Sequence, residues 1–357
     1  MLHAWIATLP PRPQPEVLLA GFVPPRRFAA KSFDDYRPDP RHPSQGAAAE
    51  ALRQEAAALR RANSGWAERL RGWLRGVPRG GGVYLDGGFG VGKTHLLAAL
   101  WHAAPEPRAY LSFDELVYTL GLFGVEGTRR IFAGVRLVAV DEWELDDPGN
   151  LKLALAFLRG ALADGTRVAT TSNTVPDELG RGRFDQKSFA AEIEELSAAF
   201  RVIHIEGEDF RHRRFEADPG MELFADPDAL ATLAPAGDRP LLRTSGEELQ
   251  GALASVHPIR FDGLVNAIGG VAVEGLAPFA RLPEALRWVH FIDKLYDAAL
   301  PFAASSSIPL GALFTPEMVH GPFGKKVQRC LSRMEELLAE GAPSEAAEAQ
   351  QPADPLR

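Results

Sequence analysis

In the stretch VYLDGGFGVGKTHLL, Gly87 is followed by four residues and then Gly92-Lys93-Thr94. This is the G-x-x-x-x-G-K-T spacing of a phosphate-binding loop, which needs a strand before it and a helix after it. Glycines let backbone N–H groups wrap a phosphate with no Cβ in the way. The helix start adds partial positive charge. The candidate nucleotide-binding residues are therefore Gly87, Gly88, Phe89, Gly90, Val91, Gly92, Lys93, Thr94 and His95. Lys93 would reach the β- and γ-phosphate oxygens of ATP, and the Thr94 hydroxyl would ligate Mg²⁺.

A second constellation is acidic. Leu137–Val140 is an apolar run that leads into Asp141-Glu142. A buried strand can deliver a carboxylate to the C-terminal edge of a parallel sheet, where ligands bind. Asp141 would hold Mg²⁺ through water. Glu142 would polarise an attacking water as general base. The alternative is a strand ending in a solvated acidic turn, with Glu144, Asp146 and Asp147 following. A third run, RVATTSNTVPDEL, ends a strand at Thr171 and delivers Ser172 and Asn173. Asn173 is the candidate sensor of the γ-phosphate; its alternative is a turn or helix cap.

These residues need a sheet edge to meet on. Strands are expected at Val83–Asp86, Ala109–Ser112, Val135–Val140, Arg167–Thr171 and Val202–Ile205. Helices are expected at Gly92–Ala103, Phe113–Leu120, Asn150–Ala163 and Phe189–Phe200. Such alternation predicts an α/β fold, a mainly parallel sheet covered by helices on both faces. Before it, residues 1–45 are Pro-rich and read as an arm without long helices. Leu52, Ala56, Leu59, Trp66, Leu70 and Trp73 recur at mostly helical spacing between Gly46 and Leu74. The domain reading is an arm at 1–45, an ATPase core at 46–215, a C-terminal αβ region at 216–340 and a mobile tail at 341–357.

The C-terminal region is expected to hold strands at Arg239–Thr244, Val271–Glu274 and Phe302–Ser305. Helices are expected from Glu247, over Pro283–Ala299 and from about Phe323 to Leu338. It echoes the first region: VAVDEW at 138–143 against VAVEGL at 271–276, an offset of 133 that also pairs Ser172 with Ser305 and Asn173 with Ser306 without a gap. A degenerate repeat and a chance likeness of two strand-helix-strand units both fit. No Gly-rich loop precedes the copy.

Strand, phosphate loop, Asp-Glu strand and Asn-ending strand together resemble an AAA+ ATPase. More narrowly the chain resembles the ZapE family of cell-division ATPases, called Afg1-like in mitochondria. The residues that carry this are FDDYRPDPRHPSQ at 33–45, GGFGVGKTHLL at 87–97, VAVDEW at 138–143, TTSNTVPDEL at 170–179 and GEDFRHR at 207–213. FIDKLYD at 291–297 and RCLSRMEEL at 329–337 add to them. The resemblance spans roughly residues 28–340. It implies ATP binding and hydrolysis, Mg²⁺ dependence, a homo-oligomer, and a link to the division ring protein FtsZ or to protein quality control. In place of the family's aromatic and histidine cluster stands YLSFDEL at 110–116. After PDEL the text is GRGRFDQKSF: aligned on Arg183-Phe184 an arginine is kept, and Arg183 is the candidate acting in trans on a neighbour's γ-phosphate, whereas aligned on Phe189 the arginine positions hold Gln186 and Ser188; a solvated loop arginine is the other alternative.

Arg329 and Arg333 lie four apart and share a helix face. They are read as surface arginines, with a fold-back onto the nucleotide as the alternative. FRHRRF at 210–215 fits a solvated basic turn, or a contact to phosphate, acidic lipid or a partner. The nine histidines show no ligand spacing, so no structural metal is expected. Lys and Arg number 39 against 47 Asp and Glu, and this balance argues against bulk nucleic-acid binding. The single cysteine, Cys330, fits a reducing cytoplasm. No run is long enough to span a bilayer, so any membrane contact is expected to be peripheral. Three functions are in view: an ATP-hydrolysing mechanoenzyme or regulator, a nucleotide-switched binding module with little turnover, and a loader of other proteins onto DNA.

Overall fold

The computed structural model describes residues 14–62, 81–88, 90–144, 148–179, 186–207, 224, 230–256 and 258–341. Phe89, Trp66, Trp73, Asp146, Asp147, Arg183 and the FRHRRF segment lie outside them. The chain divides into two compact units, with the boundary between Arg214 and Phe215.

In the N-terminal unit, two α-helices precede the first strand among the described residues: α1 (Pro15–Gly21) and α2 (Pro43–Ala62). Both begin on a proline. The missing N–H costs nothing in a first turn, so prolines that forbid helix interiors here start helices. There follow β1 (Gly81–Gly87), α3 (Lys93–Ala103), β2 (Arg108–Ser112), α4 (Phe113–Ile131), β3 (Leu137–Asp141), α5 (Pro148–Ala163), β4 (Arg167–Ser172), α6 (Ala190–Ala198) and β5 (Phe200–Ile205). Helix α4 runs eleven residues past its expected end, through a break at Gly124 (φ 68°). The Thr128 hydroxyl donates to the Gly124 carbonyl at 2.8 Å beyond that break.

All five strands are parallel, in the order β2-β3-β4-β1-β5. Helices cover both faces, as expected. Val138, Val140, Val168 and Tyr84 pack with residues of α4, α5 and α6, whereas Leu137, Ala139, Ala169, Val83 and Leu85 pack with α2 and α3. The central strands are apolar on both sides because both sides are covered. Glu55 of α2 is buried against this sheet and is paired by Arg167 through two hydrogen bonds, of 2.5 and 3.0 Å.

The C-terminal unit holds β6 (Leu241–Ser245), α7 (Gly246–Ala254), α8 (Phe261–Ala267), β7 (Gly270–Glu274), α9 (Leu282–Asp297), β8 (Phe302–Ala304), α10 (Pro316–His320) and α11 (Gly324–Gly341). Its strands form a parallel sheet in the order β6-β7-β8. The echo in sequence is an echo in geometry. Strands β2 and β6, and β3 and β7, start and end 133 residues apart and pair in the same register. Ser112 caps α4 by accepting from Glu115 N–H, and Ser245 caps α7 by accepting from Glu248 N–H. Glu142 and Gly275 both have positive φ, 56° and 66°. Glu142 N–H donates to the Thr171 hydroxyl at 2.9 Å, and Gly275 N–H to the Ser305 hydroxyl at 3.0 Å. The next N–H groups, Trp143 and Leu276, reach the carbonyls of Thr171 and Ser305. One detail is corrected: Ser305 matches Thr171, not Ser172, because Val138 pairs Val168 whereas Val271 pairs Phe302, so the copy is one residue longer before its last strand.

Arg329 and Arg333 are not surface residues. Both are buried on α11, and they donate to Asp293 of α9 at 2.6 and 2.5 Å. Arg333 also stacks on the Tyr296 ring. Burial pushes the Asp293 carboxyl up, but the Arg329 and Arg333 guanidiniums overcome this and hold it well below the usual carboxylate range. A carboxylate whose folded pKa is depressed stabilises the fold above its unfolded pKa, and the effect is lost as pH falls through the folded value. The pair therefore survives mild acid and fails only below the ordinary carboxylate range. Asp293→Asn leaves two guanidiniums facing a neutral amide and is expected to destabilise this unit by on the order of 3 kcal/mol at neutral pH, read as a lower denaturant midpoint.

Candidate nucleotide-binding site

The glycine loop closes between β1 and α3 because its backbone goes where other residues do not. Gly92 has φ 89°, and a Cβ there would lie 2.5 Å from the Tyr36 ring. Lys93 opens α3 directly after it and is buried. Its ammonium donates to the carbonyls of Gly87 (2.9 Å) and Gly88 (2.5 Å) and to Asn173 Oδ1 (2.9 Å). The α3 N-terminus and this charge together make an anion site.

The strand order explains the meeting. β4 lies between β3 and β1, so Asn173, just past β4, reaches the lysine from one side of the loop. The Asn173 amide N–H₂ donates to Glu144 Oε1 at 3.3 Å. Glu144 is buried, so the alternative of a solvated acidic turn does not hold at that residue. Asp141 ends β3 on the α3 face. Thr94 donates to its Oδ1 at 3.3 Å, Tyr110 donates to its Oδ2 at 2.8 Å, and Thr171 donates to its Oδ1. Glu142 follows in a left-handed conformation, its N–H held by Asp141 Oδ1 and Thr171 Oγ1. That conformation is uncommon outside glycine and turns the Glu142 side chain away from strand geometry.

Four sequence-derived residues thus meet as two hydrogen-bonded pairs, Lys93 with Asn173 and Thr94 with Asp141, on adjacent residues of α3, and Glu142 follows Asp141. The Thr94 hydroxyl and Asp141 carboxylate are hard oxygen donors side by side, which suits Mg²⁺ carrying water and phosphate oxygens. The glycine backbone and Lys93 suit the phosphates. His95 points elsewhere: its Nε2 lies 2.8 Å from the Ser32 carbonyl and its ring meets Tyr36 edge-on, with burial pushing its pKa down.

Sequence reasoning did not pick out Tyr36, Tyr110, Thr171 or Glu144 as site residues. Tyr36 lies in the FDDY segment, which crosses the loop; its hydroxyl donates to the Val91 carbonyl at 2.9 Å, and burial pushes its pKa up to about 12. The segment is tied down beyond the loop as well, since Gln45 donates to the Glu206 carbonyl at 2.9 Å. Tyr36→Phe keeps the ring but leaves that carbonyl without its donor. The expected result is a nucleotide Kd raised about fivefold, near 1 kcal/mol, with unchanged secondary structure by circular dichroism.

Residues 22–234 match the family model of the AFG1-like ATPases. Among solved structures, the chain is similar to a DNA replication initiation factor at 16% identity, over 52% of each chain, with a TM-score of 0.37. It is similar to AMPPCP-bound DnaA from Aquifex aeolicus at 14% identity, over 52% of this chain and 55% of that one, TM-score 0.37. DnaI gives 20% identity over 51% and 94%, TM-score 0.37. The match spans about half the length of the replication initiation factor and of the Aquifex DnaA.

Proposed function

Because this chain belongs to the AFG1-like ATPase family, we propose that it binds ATP with Mg²⁺ and hydrolyses it to ADP and phosphate at the C-terminal edge of the first sheet. The observation that carries this reading is the convergence of Lys93, Asn173, Thr94 and Asp141 within hydrogen-bond reach. The loop backbone cradles the phosphates, and Lys93 exchanges the Gly87 and Gly88 carbonyls for β- and γ-phosphate oxygens. Thr94 and Asp141 hold Mg²⁺, which when bound neutralises charge on the phosphate oxygens. The Glu142 carboxylate takes the proton of the attacking water. The Asn173 amide, placed between Lys93 and Glu144, reports whether the γ-phosphate is present.

Action on the division ring protein FtsZ or in protein quality control rests on the family resemblance, as does a homo-oligomer with Arg183 in trans, whereas a cytoplasmic site of action rests on the single cysteine and the lack of a long apolar run. Among the described residues no helix is long and apolar enough to cross a membrane. Phosphate release is measured with the full chain, ATP and Mg²⁺ over a range of protein concentrations. Steady release, with specific activity rising as protein concentration rises, supports the reading. Release indistinguishable from buffer at every concentration overturns it.

A further inference from the structure

Asp141 is held by more than its metal role requires, and the internal copy separates what belongs to the fold from what belongs to the site. In both copies the backbone turn after the central strand is fixed by a hydroxyl at the end of the next strand: Thr171 under Glu142 N–H, Ser305 under Gly275 N–H. The same turn forms in the second unit, where Gly275 takes the place of Glu142. That contact is therefore architectural. The Tyr110 contact has no counterpart. Tyr110 of β2 pairs with Ala139 of β3, and the matching pair in the second sheet is Arg243 and Ala272. Arg243 turns to the carbonyls of Leu230 (2.6 Å) and Ala231 (2.9 Å), and the residue matching Asp141, Glu274, is exposed.

The Tyr110 hydroxyl is thus present where a carboxylate must be aimed. Tyr110 stands two residues before the strand end, on the same face as Asp141, and its ring is buried in the α3 side of the sheet. Asp141 Oδ1 takes Thr94, Thr171 and Glu142 N–H, and Tyr110 takes Oδ2. The terminal torsion of an aspartate is broad, so donors on one oxygen alone leave the other free to swing. A donor on each oxygen fixes the plane of the carboxylate. We infer that Tyr110 is a positioning residue for metal binding, acting through Asp141 by holding Oδ2 so that the plane of the carboxylate is fixed toward the ion and its waters. This rests on the ATPase reading above. Outer groups of this kind commonly tune metal affinity by 10–100-fold.

The test compares Tyr110→Phe with the unaltered chain. Affinity for ADP is measured by calorimetry without metal and over a Mg²⁺ titration, and Mn²⁺ binding in the presence of ADP is followed by electron paramagnetic resonance. The expected result is metal-free ADP affinity within twofold and a half-saturating metal concentration raised about tenfold. Tyr110→Met, also without the hydroxyl, should shift it in the same direction if Tyr110→Phe melts too low to titrate. A merely structural tyrosine would lower the melting temperature and leave the metal titration unmoved; that outcome overturns the inference. Failure of the unaltered chain to bind ADP, with or without metal, would overturn the ATPase reading itself.

Discussion

Glu142→Gln is expected to bind ATP as tightly as the unaltered chain and to turn it over about 10²–10⁴-fold more slowly, roughly 3–5 kcal/mol of barrier. The substitution keeps shape and removes only the proton acceptor. It keeps the Glu142 N–H that holds the backbone turn on Asp141 and Thr171. Binding and turnover should therefore separate cleanly, with calorimetry reporting an unchanged Kd and single-turnover kinetics a slow chemical step. An unchanged kcat would move the base elsewhere. Another carboxylate on this edge is Glu144, buried beside Asn173, so Glu144→Gln would be measured next.

Lys93→Ala is expected to weaken ATP binding by about 100-fold or more, near 3 kcal/mol, since it removes a buried charge from the phosphates. In the free protein the ammonium is donated to the Gly87 and Gly88 carbonyls and to Asn173. The variant thus also removes the donor that holds the loop carbonyls and the Asn173 amide together. Loss of affinity should exceed any loss of stability, because those carbonyls lie at the loop and not in the sheet core. Calorimetric titration with ATP alongside a thermal melt checks both. Unchanged affinity would remove the phosphate loop from the proposed site.

The two experiments probe different contacts. In the proposed reaction Lys93 would act on the phosphate chain from the first turn of α3, and Glu142 on water from the turn after β3. A double variant should combine weak binding with slow turnover, the two losses adding on a free-energy scale if the residues act independently.

Much of this arrangement is local and was legible in the residues. The glycine spacing of 87–94 specifies a loop because only glycine takes the φ found at Gly92, and Lys93-Thr94 follows on the first helical turn whatever else the chain does. The apolar run at 137–140 and the Val168-Ala169 pair specify buried parallel strands, and their polar ends had to emerge at one edge. The capping serines at 112 and 245, three before Glu115 and Glu248, are also local. The 133-residue echo was visible as text, but a likeness of short strands is weak until register, caps and positive φ coincide.

Contacts between residues far apart in sequence had to wait for the tertiary structure. No periodicity could say that Tyr36 lies over Gly92, or that Tyr110 reaches Asp141, since each contact joins segments whose distance in sequence says nothing of their distance in space. Nothing in the sequence singled out Glu144, which packing buries against Asn173. Arg329 and Arg333 looked exposed, and Asp293, some 36 to 40 residues earlier in the chain, supplied the charge that lets them be buried. Sequence by itself determined which backbone conformations and which buried strands the chain would form, because those depend on neighbours a few residues away. The tertiary structure alone decided which polar side chains are paid for by a partner when water is excluded, because that partner comes from another element.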